Sequence, residues 1–265
     1  MIFVIDIGNT HTVAGIFDNG TISRQWRIKT DSKMTADELG ISYHNLFSIS
    51  DIDIHKICGI IVSSVVPQLE GAYFSSFTTI FPSVTKSHIF RVNDTNVASL
   101  IKICLPNPAE VGADRLVNGI AAFNIFKTSS IVIDFGTAIT FDCISGTCEY
   151  LGGLILPGLK IALQALFEKT AKLPQIDIST PPEKVIGTCT VSAMKSGVMN
   201  GYGSMIEGLI TKISDEMRPA VSGDISIIAT GGMAILMKPF APSIQHVEPD
   251  LTLHGLYYIF NKLSS

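Results

Sequence analysis

Two stretches of this chain are built alike. Residues 1–17 read MIFVIDIGNTHTVAGIF, and residues 131–144 read IVIDFGTAITFDCI. In each, an apolar run ends on an aspartate, a glycine stands two residues later, and a second apolar run soon begins. Aligned on Asp6 and Asp134, both copies read D-x-G-x-x-x-T, and they stand close to half of the 265 residues apart. Runs of β-branched residues on either side of a short glycine-containing turn predict a strand, a turn and a returning strand. An ordinary hairpin gains nothing from a carboxylate at the end of its first strand. The duplication thus predicts two structural repeats, each with a core of its own, and one chemical task shared by the two turns.

The pattern between the copies extends the repeat. Residues 2–6, 12–17 and 21–30 read as a meander of three strands, with Ile22, Arg24, Trp26 and Ile28 on one phase of the third. Cap-type residues in TDSKMTADEL then open a helix that carries Leu39, Tyr43, Leu46 and Phe47 at helical spacing. The unbroken apolar run in KICGIIVSSVVP, ending at Pro67, suits a strand buried on both faces of a parallel sheet. A helix and a short strand in HIFRVND follow. The second half gives strands at 130–134, 138–144 and about 148–153, then a helix from about Lys160. A long helix over 190–217 places Val191, Met194, Val198, Tyr202, Met205, Leu209 and Ile213 inward. The strand ISIIAT then runs into Gly231 and Gly232, and LTLHGLYYIFNKL closes the chain as an amphipathic helix.

Two β-β-β-α-β-α units in tandem resemble the actin/hexokinase/Hsp70 superfamily, an α/β architecture of two actin-like (ribonuclease H-like) domains with an ATP cleft between them. The expected division is 1–115 and 116–265, with the last helix able to pack back across both. Such a likeness speaks to fold and not to function.

Composition removes several classes of function. Apolar residues make up 46% of the chain and charged residues 16%, which describes a core-rich protein and not a disordered one. No apolar run reaches the roughly 18 residues that cross a bilayer, and the first residues lack the basic and small-residue features of a signal peptide. The expectation is a cytoplasmic protein without a membrane segment. A net charge of −4 and the absence of a basic cluster argue against nucleic acid as partner. The five cysteines are odd in number and scattered, and no two histidines have the spacing of a zinc hydrolase. Neither G-x-x-x-x-G-K-[ST] nor G-x-G-x-x-G occurs, which sets aside the P-loop and dinucleotide-binding readings.

What remains is the chemistry of the two turns. Backbone N–H groups in such a turn form a small concave donor site suited to phosphate oxygens. The glycine lets the backbone come close to the anion, and Thr10 and Thr137 can add hydroxyl donors. An aspartate cannot touch phosphate directly, so Asp6 and Asp134 imply cations between carboxylate and phosphate. The Gly231–Gly232 pair after a strand is where the superfamily places adenine and ribose.

With DIGNT at 6–10, SSVVP at 63–67, NPAEVGADRLVNG at 107–119, DFGTAITFD at 134–142, GGLILPG at 152–158 and LTLHGL at 251–256, the chain resembles the type III pantothenate kinase family over essentially its whole length. The resemblance implies ATP-dependent phosphorylation of pantothenate to 4'-phosphopantothenate, the first step of coenzyme A biosynthesis. It also implies a homodimer, Mg²⁺, and a monovalent cation such as K⁺ or NH₄⁺. Carried over by position, Asp6, Ile7, Gly8, Asn9, Thr10, His11, Thr12 and Val13 form the ATP phosphate turn, with Asp6 on the Mg²⁺ side and Thr137 a further ATP contact. Gly112, Ala113, Asp114 and Arg115 contact pantothenate, with Asp114 as the base that takes the proton of its primary hydroxyl. Asp134 corresponds to the monovalent-cation ligand, and Thr190 in GTCT to a substrate-binding threonine, unless it caps the long helix.

Two positions depart from the family. Leu105 stands where many relatives have a tyrosine lining the pantothenate site, and Cys189 where asparagine is usual. Losing a hydroxyl that made a hydrogen bond weakens binding by roughly 1 kcal/mol. The rival readings are a non-catalytic, regulatory member of the family and a phosphatase on the same fold. The first should have lost a carboxylate from the cleft, and this chain keeps all three. The second would use water where G-A-D-R argues for a bound organic acceptor.

Overall fold

A computed structural model describes residues 1–219, 221 and 223–264. Two compact units emerge: Met1–Ala121 together with the C-terminal stretch from Thr252, and Ala122–Leu251. The chain therefore crosses into the second unit after residue 121, later than the 115/116 division read from sequence, and its last helix returns to the first unit.

The first unit holds β1 (Ile2–Ile7), β2 (His11–Asp18), β3 (Thr21–Lys29), α1 (Ala36–Ile49), β4 (Gly59–Ser64), α2 (Pro67–Ile80), β5 (Ile89–Arg91) and the short β6 (Lys102–Ile103). The sheet order is β3-β2-β1-β4-β5. Strands β1 to β3 pair antiparallel, whereas β4 runs parallel to β1, as a connection through α1 requires. Helix α1 starts at a capping box: the Thr35 N–H donates to Glu38 Oε2 (2.8 Å), and the Glu38 N–H donates to Thr35 Oγ1 (3.3 Å). Pro67 opens α2, where its missing N–H costs no hydrogen bond. Phe3 lies at the centre of this core, its ring edge-on to Tyr43, Phe47 and Phe77.

Helix α3 (Ala113–Phe126) leads into the second unit: β7 (Ser129–Phe135), β8 (Ala138–Ile144), β9 (Glu149–Pro157), α4 (Leu159–Lys169), α5 (Thr190–Met217), β10 (Ile225–Thr230), α6 (Ala234–Met237) and β11 (His246–Val247). These strands lie in the order β11-β10-β7-β8-β9. The two-residue β11 beside β10 is an element that sequence patterning does not disclose. Helix α5 turns a different face inward from the one expected. Met194, Val198 and Ile213 are buried as anticipated, but the other buried apolar side chains are Met199, Ile206, Ile210 and Met217, and Val191 is 47% exposed. The reason is Gly203, whose missing side chain lets the backbone press on Phe240; a Cβ there would lie 2.4 Å from the Phe240 carbonyl oxygen. That contact rotates the buried stripe and leaves Tyr202, Met205 and Leu209 on its flank, half-buried.

Helix α7 (Leu251–Leu263) belongs to the first unit. Its Thr252 hydroxyl donates to Asn118 Oδ1 on α3 (2.7 Å), the Tyr257 ring stacks on Phe17 at 4.3 Å, and Phe260 lies over Gly59. At Gly255 backbone meets backbone, since a Cβ there would come within 2.7 Å of the Val117 carbonyl oxygen. Backbone cannot yield as a side-chain tip can. Gly255→Ala is therefore expected to destabilise the first unit by about 1–3 kcal/mol. Urea titration followed by fluorescence of Trp26, the single tryptophan, reads the loss as a lower midpoint.

Candidate functional site

In the first turn, β1 ends at Ile7 and Gly8, Asn9 and Thr10 lead into β2. The Gly8 N–H donates to the His11 carbonyl (3.1 Å), and the Val65 N–H donates to the Ile7 carbonyl (3.0 Å). Asp6 pairs with Val13 on β2 and with Ser63 on β4, so its carboxylate lies on the sheet face opposite the Phe3, Ile5 and Ile7 core. Asn9, Thr10 and His11 are exposed; Ile7 and Thr12 are buried. All eight residues read from sequence as a phosphate turn thus share one hairpin, but the Thr12 side chain faces into the core.

The second turn is shorter by one residue. Gly136 and Thr137 alone separate β7 from β8, and the Gly136 N–H donates to the Ala138 carbonyl (3.1 Å). Asp134 consequently pairs with Thr140, whereas at the matching place in the first copy Thr12 pairs with Ile7. The two threonines of the D-x-G-x-x-x-T repeat therefore face opposite sides of their sheets. One residue of turn length reverses every side chain that follows.

Two glycines outside the repeat shape this second turn. A Cβ at Gly231, which has φ +87°, would stand 2.3 Å from Asp134 Oδ1, and a Cβ at Gly158 would stand 2.2 Å from the Thr137 carbonyl oxygen. The Gly158 N–H donates to that same carbonyl (3.1 Å). Both glycines lie in stretches that patterning singled out, GGLILPG and ATGG. Their role against the turn appears only in three dimensions. Beyond Thr140, the buried Asp142 carboxylate accepts from the Tyr150 hydroxyl (2.7 Å) and the Thr140 hydroxyl (3.3 Å).

Gly112, Ala113, Asp114 and Arg115 form the first turn of α3, with the Leu116 N–H donating to the Gly112 carbonyl (3.2 Å). Asp114 Oδ1 accepts from the Arg115 N–H (2.8 Å). Burial pushes the Asp114 carboxyl above the ordinary carboxylate range, and the Arg115 N–H and guanidinium only partly oppose it. A carboxylate held this way is a stronger base than one in water. Leu105 precedes the helix in a loop and is half-buried.

Thr190 is exposed and is the first residue of α5, not its cap. The cap is Cys189, whose sulfur accepts from the Ser192 N–H (3.5 Å) while the Cys189 N–H donates to Ser192 Oγ (3.1 Å). Hydrogen bonds from the Ser192 hydroxyl and N–H hold the Cys189 thiol below its ordinary pKa. Cysteine thus replaces asparagine here without leaving the helix end uncapped.

Among the described residues, no three His, Cys, Asp or Glu side chains gather as a metal cluster, and no helix is long and apolar enough to cross a membrane. A cation at Asp6 or Asp134 would need the rest of its ligands from backbone oxygens, phosphate or water, which is how Mg²⁺ commonly sits in phosphate-handling sites.

Residues 2–212 match the family model of type III pantothenate kinase. A type III pantothenate kinase of Desulfotalea psychrophila is 45% identical over 263 residues, covering 99% of this chain and 98% of the relative. One from Desulforapulum autotrophicum is 42% identical, covering 98% and 96%. Among solved structures, the activator of the 2-hydroxyisocaproyl-CoA dehydratase from Clostridium difficile aligns with a TM-score of 0.56 at 14% identity, covering 99% of this chain and 95% of that one. At that identity the likeness concerns the fold.

The raised Asp114 carboxyl fixes a sign for stability. The folded chain holds this proton more tightly than the unfolded chain, so stability falls as pH rises from the ordinary carboxylate range through the raised value. At neutral pH the ionised group is a burden on the fold. Asp114→Asn, which removes the charge and keeps the shape, is expected to melt at pH 7 no lower than wild type and to lose any advantage below about pH 4. Thermal melts at the two pH values check this, and a lower melting temperature at pH 7 would contradict it.

Proposed function

The chain belongs to the type III pantothenate kinase family, and from that premise we propose how its own residues carry the reaction. The activity is ATP-dependent phosphorylation of pantothenate in coenzyme A biosynthesis. Phosphoryl transfer leaves little covalent work for a protein, so positioning and charge neutralisation dominate. Asp114 takes the proton from the attacking primary hydroxyl of pantothenate. The observation that carries this is its burial at the start of α3, which raises its basicity while the Arg115 N–H fixes Oδ1. Arg115, whose planar fork suits an anion, holds the substrate carboxylate or a transferring oxygen. Gly112 and Ala113 shape the approach to the hydroxyl, while Leu105 and Thr190 complete the pantothenate site.

The hairpin from Asp6 to Val13 grips the ATP phosphates through backbone amides, with Thr137 a second contact. Bound Mg²⁺ on the Asp6 side would offset charge on the phosphates. Asp134, at the end of β7, would hold the monovalent cation, K⁺ or NH₄⁺.

The reading includes a homodimer, and an apolar face of the second unit supports it. In the second unit an apolar groove of about 600 Å³ is lined by Leu156, Pro157, Leu166, Met194, Tyr202 and Met205. Ile155 and Phe167 stand nearby, 67% and 41% exposed. A second copy of the chain would cover this groove. Sedimentation velocity should then show a dimer for wild type and a monomer for Leu166→Glu.

Activity is tested by coupled ATP consumption with and without pantothenate and K⁺. Turnover should require pantothenate, rise with K⁺, and fall by at least about 10²-fold in Asp114→Asn. Asp134→Asn should turn over at the K⁺-free rate whether or not K⁺ is added. Turnover independent of pantothenate would point to a phosphatase instead.

A further inference from the structure

Tyrosine and threonine hydroxyls are costly inside an apolar core unless each finds a partner. Behind the Asp6–Val13 hairpin the first unit nevertheless buries three of them, Thr12, Tyr73 and Tyr43, with Thr30 half-buried beside Thr12. Thr30 Oγ1 donates to the Gly8 carbonyl at 2.7 Å and lies 3.0 Å from Thr12 Oγ1. The Tyr43 hydroxyl on α1 donates to the Tyr73 hydroxyl on α2, 3.2 Å away. Thr12 is 1% exposed, Tyr73 2% and Tyr43 0%.

Each hydroxyl has one proton to give, and that settles the direction of the row. A carbonyl can only accept, so Thr30 spends its proton on Gly8. Thr12 must then donate to Thr30. This row of two hydroxyls runs one way, from the buried Thr12 to the carbonyl of the turn glycine, and the Tyr43–Tyr73 pair is a separate bond in the same core. Hydrogen bonds in such a chain polarise and reinforce one another.

Thr30 grips the turn a second time, since its N–H donates to the Thr10 carbonyl at 3.0 Å. In a planar trans peptide the C=O and the following N–H point in opposite directions. With the Gly8 and Thr10 carbonyls drawn toward Thr30, the Asn9 and Thr10–His11 peptide N–H groups are turned away from it. These are amides of the turn that would face an anion. The second turn keeps the backbone part of this grip, the Gly158 N–H on the Thr137 carbonyl (3.1 Å), but glycine there has no hydroxyl, and the shorter turn sends Thr140 to the other face, toward Asp134 and Asp142.

We propose that Thr30 is a positioning residue for ATP, aiming the amides of the phosphate turn through its N–H and through a one-way row of hydroxyls that starts at the buried Thr12. The proposal rests on the reading of Asp6–Val13 as the ATP phosphate turn. Thr30 itself touches no substrate, and it lies outside every motif that sequence patterning marked.

The test compares Thr30→Val, which keeps the shape and removes the hydroxyl, with Thr30→Ser, which keeps the hydroxyl. Binding of the non-hydrolysed analogue AMPPNP with Mg²⁺ is measured beside the KM values for ATP and pantothenate. Thr30→Val should weaken AMPPNP binding and raise the ATP KM by about 5- to 10-fold, leaving the pantothenate KM within about 2-fold. Thr30→Ser should restore most of the loss. Thr12→Val, which breaks the row one step further back, should act in the same direction but less, and it serves if Thr30→Val folds poorly. Equal losses for both substrates, or a lower melting temperature with AMPPNP binding intact, would overturn the proposal. Gly8→Ala, which sets a Cβ 2.9 Å from the His11 carbonyl oxygen, separates the two layers of the argument. If it weakens AMPPNP binding while Thr30→Val does not, the turn binds ATP and the row of hydroxyls has no part in it. If neither variant weakens binding, the turn reading falls and the proposal with it.

Discussion

Side chains alternate across a strand, and that alternation governs which groups of this protein meet solvent, core or ligand. In β1 it sends Phe3, Ile5 and Ile7 to one face and Val4 and Asp6 to the other. The hydrophobic face must be buried, so the position of the carboxylate follows without further choice. The same rule acts across each turn. Three residues between β1 and β2 return the chain with Thr12 on the core side, whereas two residues between β7 and β8 return it with Thr140 beside Asp134. The halves are alike in order of elements and unlike in what their turns are fastened to.

Much of this order can be read from the residues alone because its causes are local. Apolar runs broken by Gly8 and Gly136 mark the hairpins, Thr35 and Glu38 mark the start of α1, and Pro67 marks the start of α2. What escapes the sequence depends on partners far along the chain. The D-x-G-x-x-x-T match hides the difference between the turns, since spacing within a motif says nothing about which residue pairs with which. The inward face of α5 is set by Gly203 against Phe240, a contact between elements that no helical period contains. Asp114 could be named as a candidate from G-A-D-R, but its raised pKa comes from burial, which a motif does not carry.

The glycines near the two turns divide into those that bend the chain and those that make room. Gly8 and Gly136 begin the turns themselves. Gly158 and Gly231 stand on other elements and serve by having no side chain where a Cβ would strike the turn backbone or the Asp134 carboxylate. The cost of such positions is the backbone entropy that glycine loses on folding. It is set against a turn and a carboxylate that other backbone can approach directly, a packing that any side chain at these positions would break.

Helix α7 gives the first unit residues from both ends of the chain, with the whole second unit inserted between them. On a ribosome these parts do not become available together. The residues up to 121 emerge with the α3 surface still bare, because Thr252, Gly255 and Tyr257 have yet to be made. At typical synthesis speeds of about 5–20 residues per second, the gap lasts on the order of ten seconds. The unit whose strands are translated first is thus the one completed last, and for that interval its exposed apolar surface is what a nascent-chain chaperone would meet.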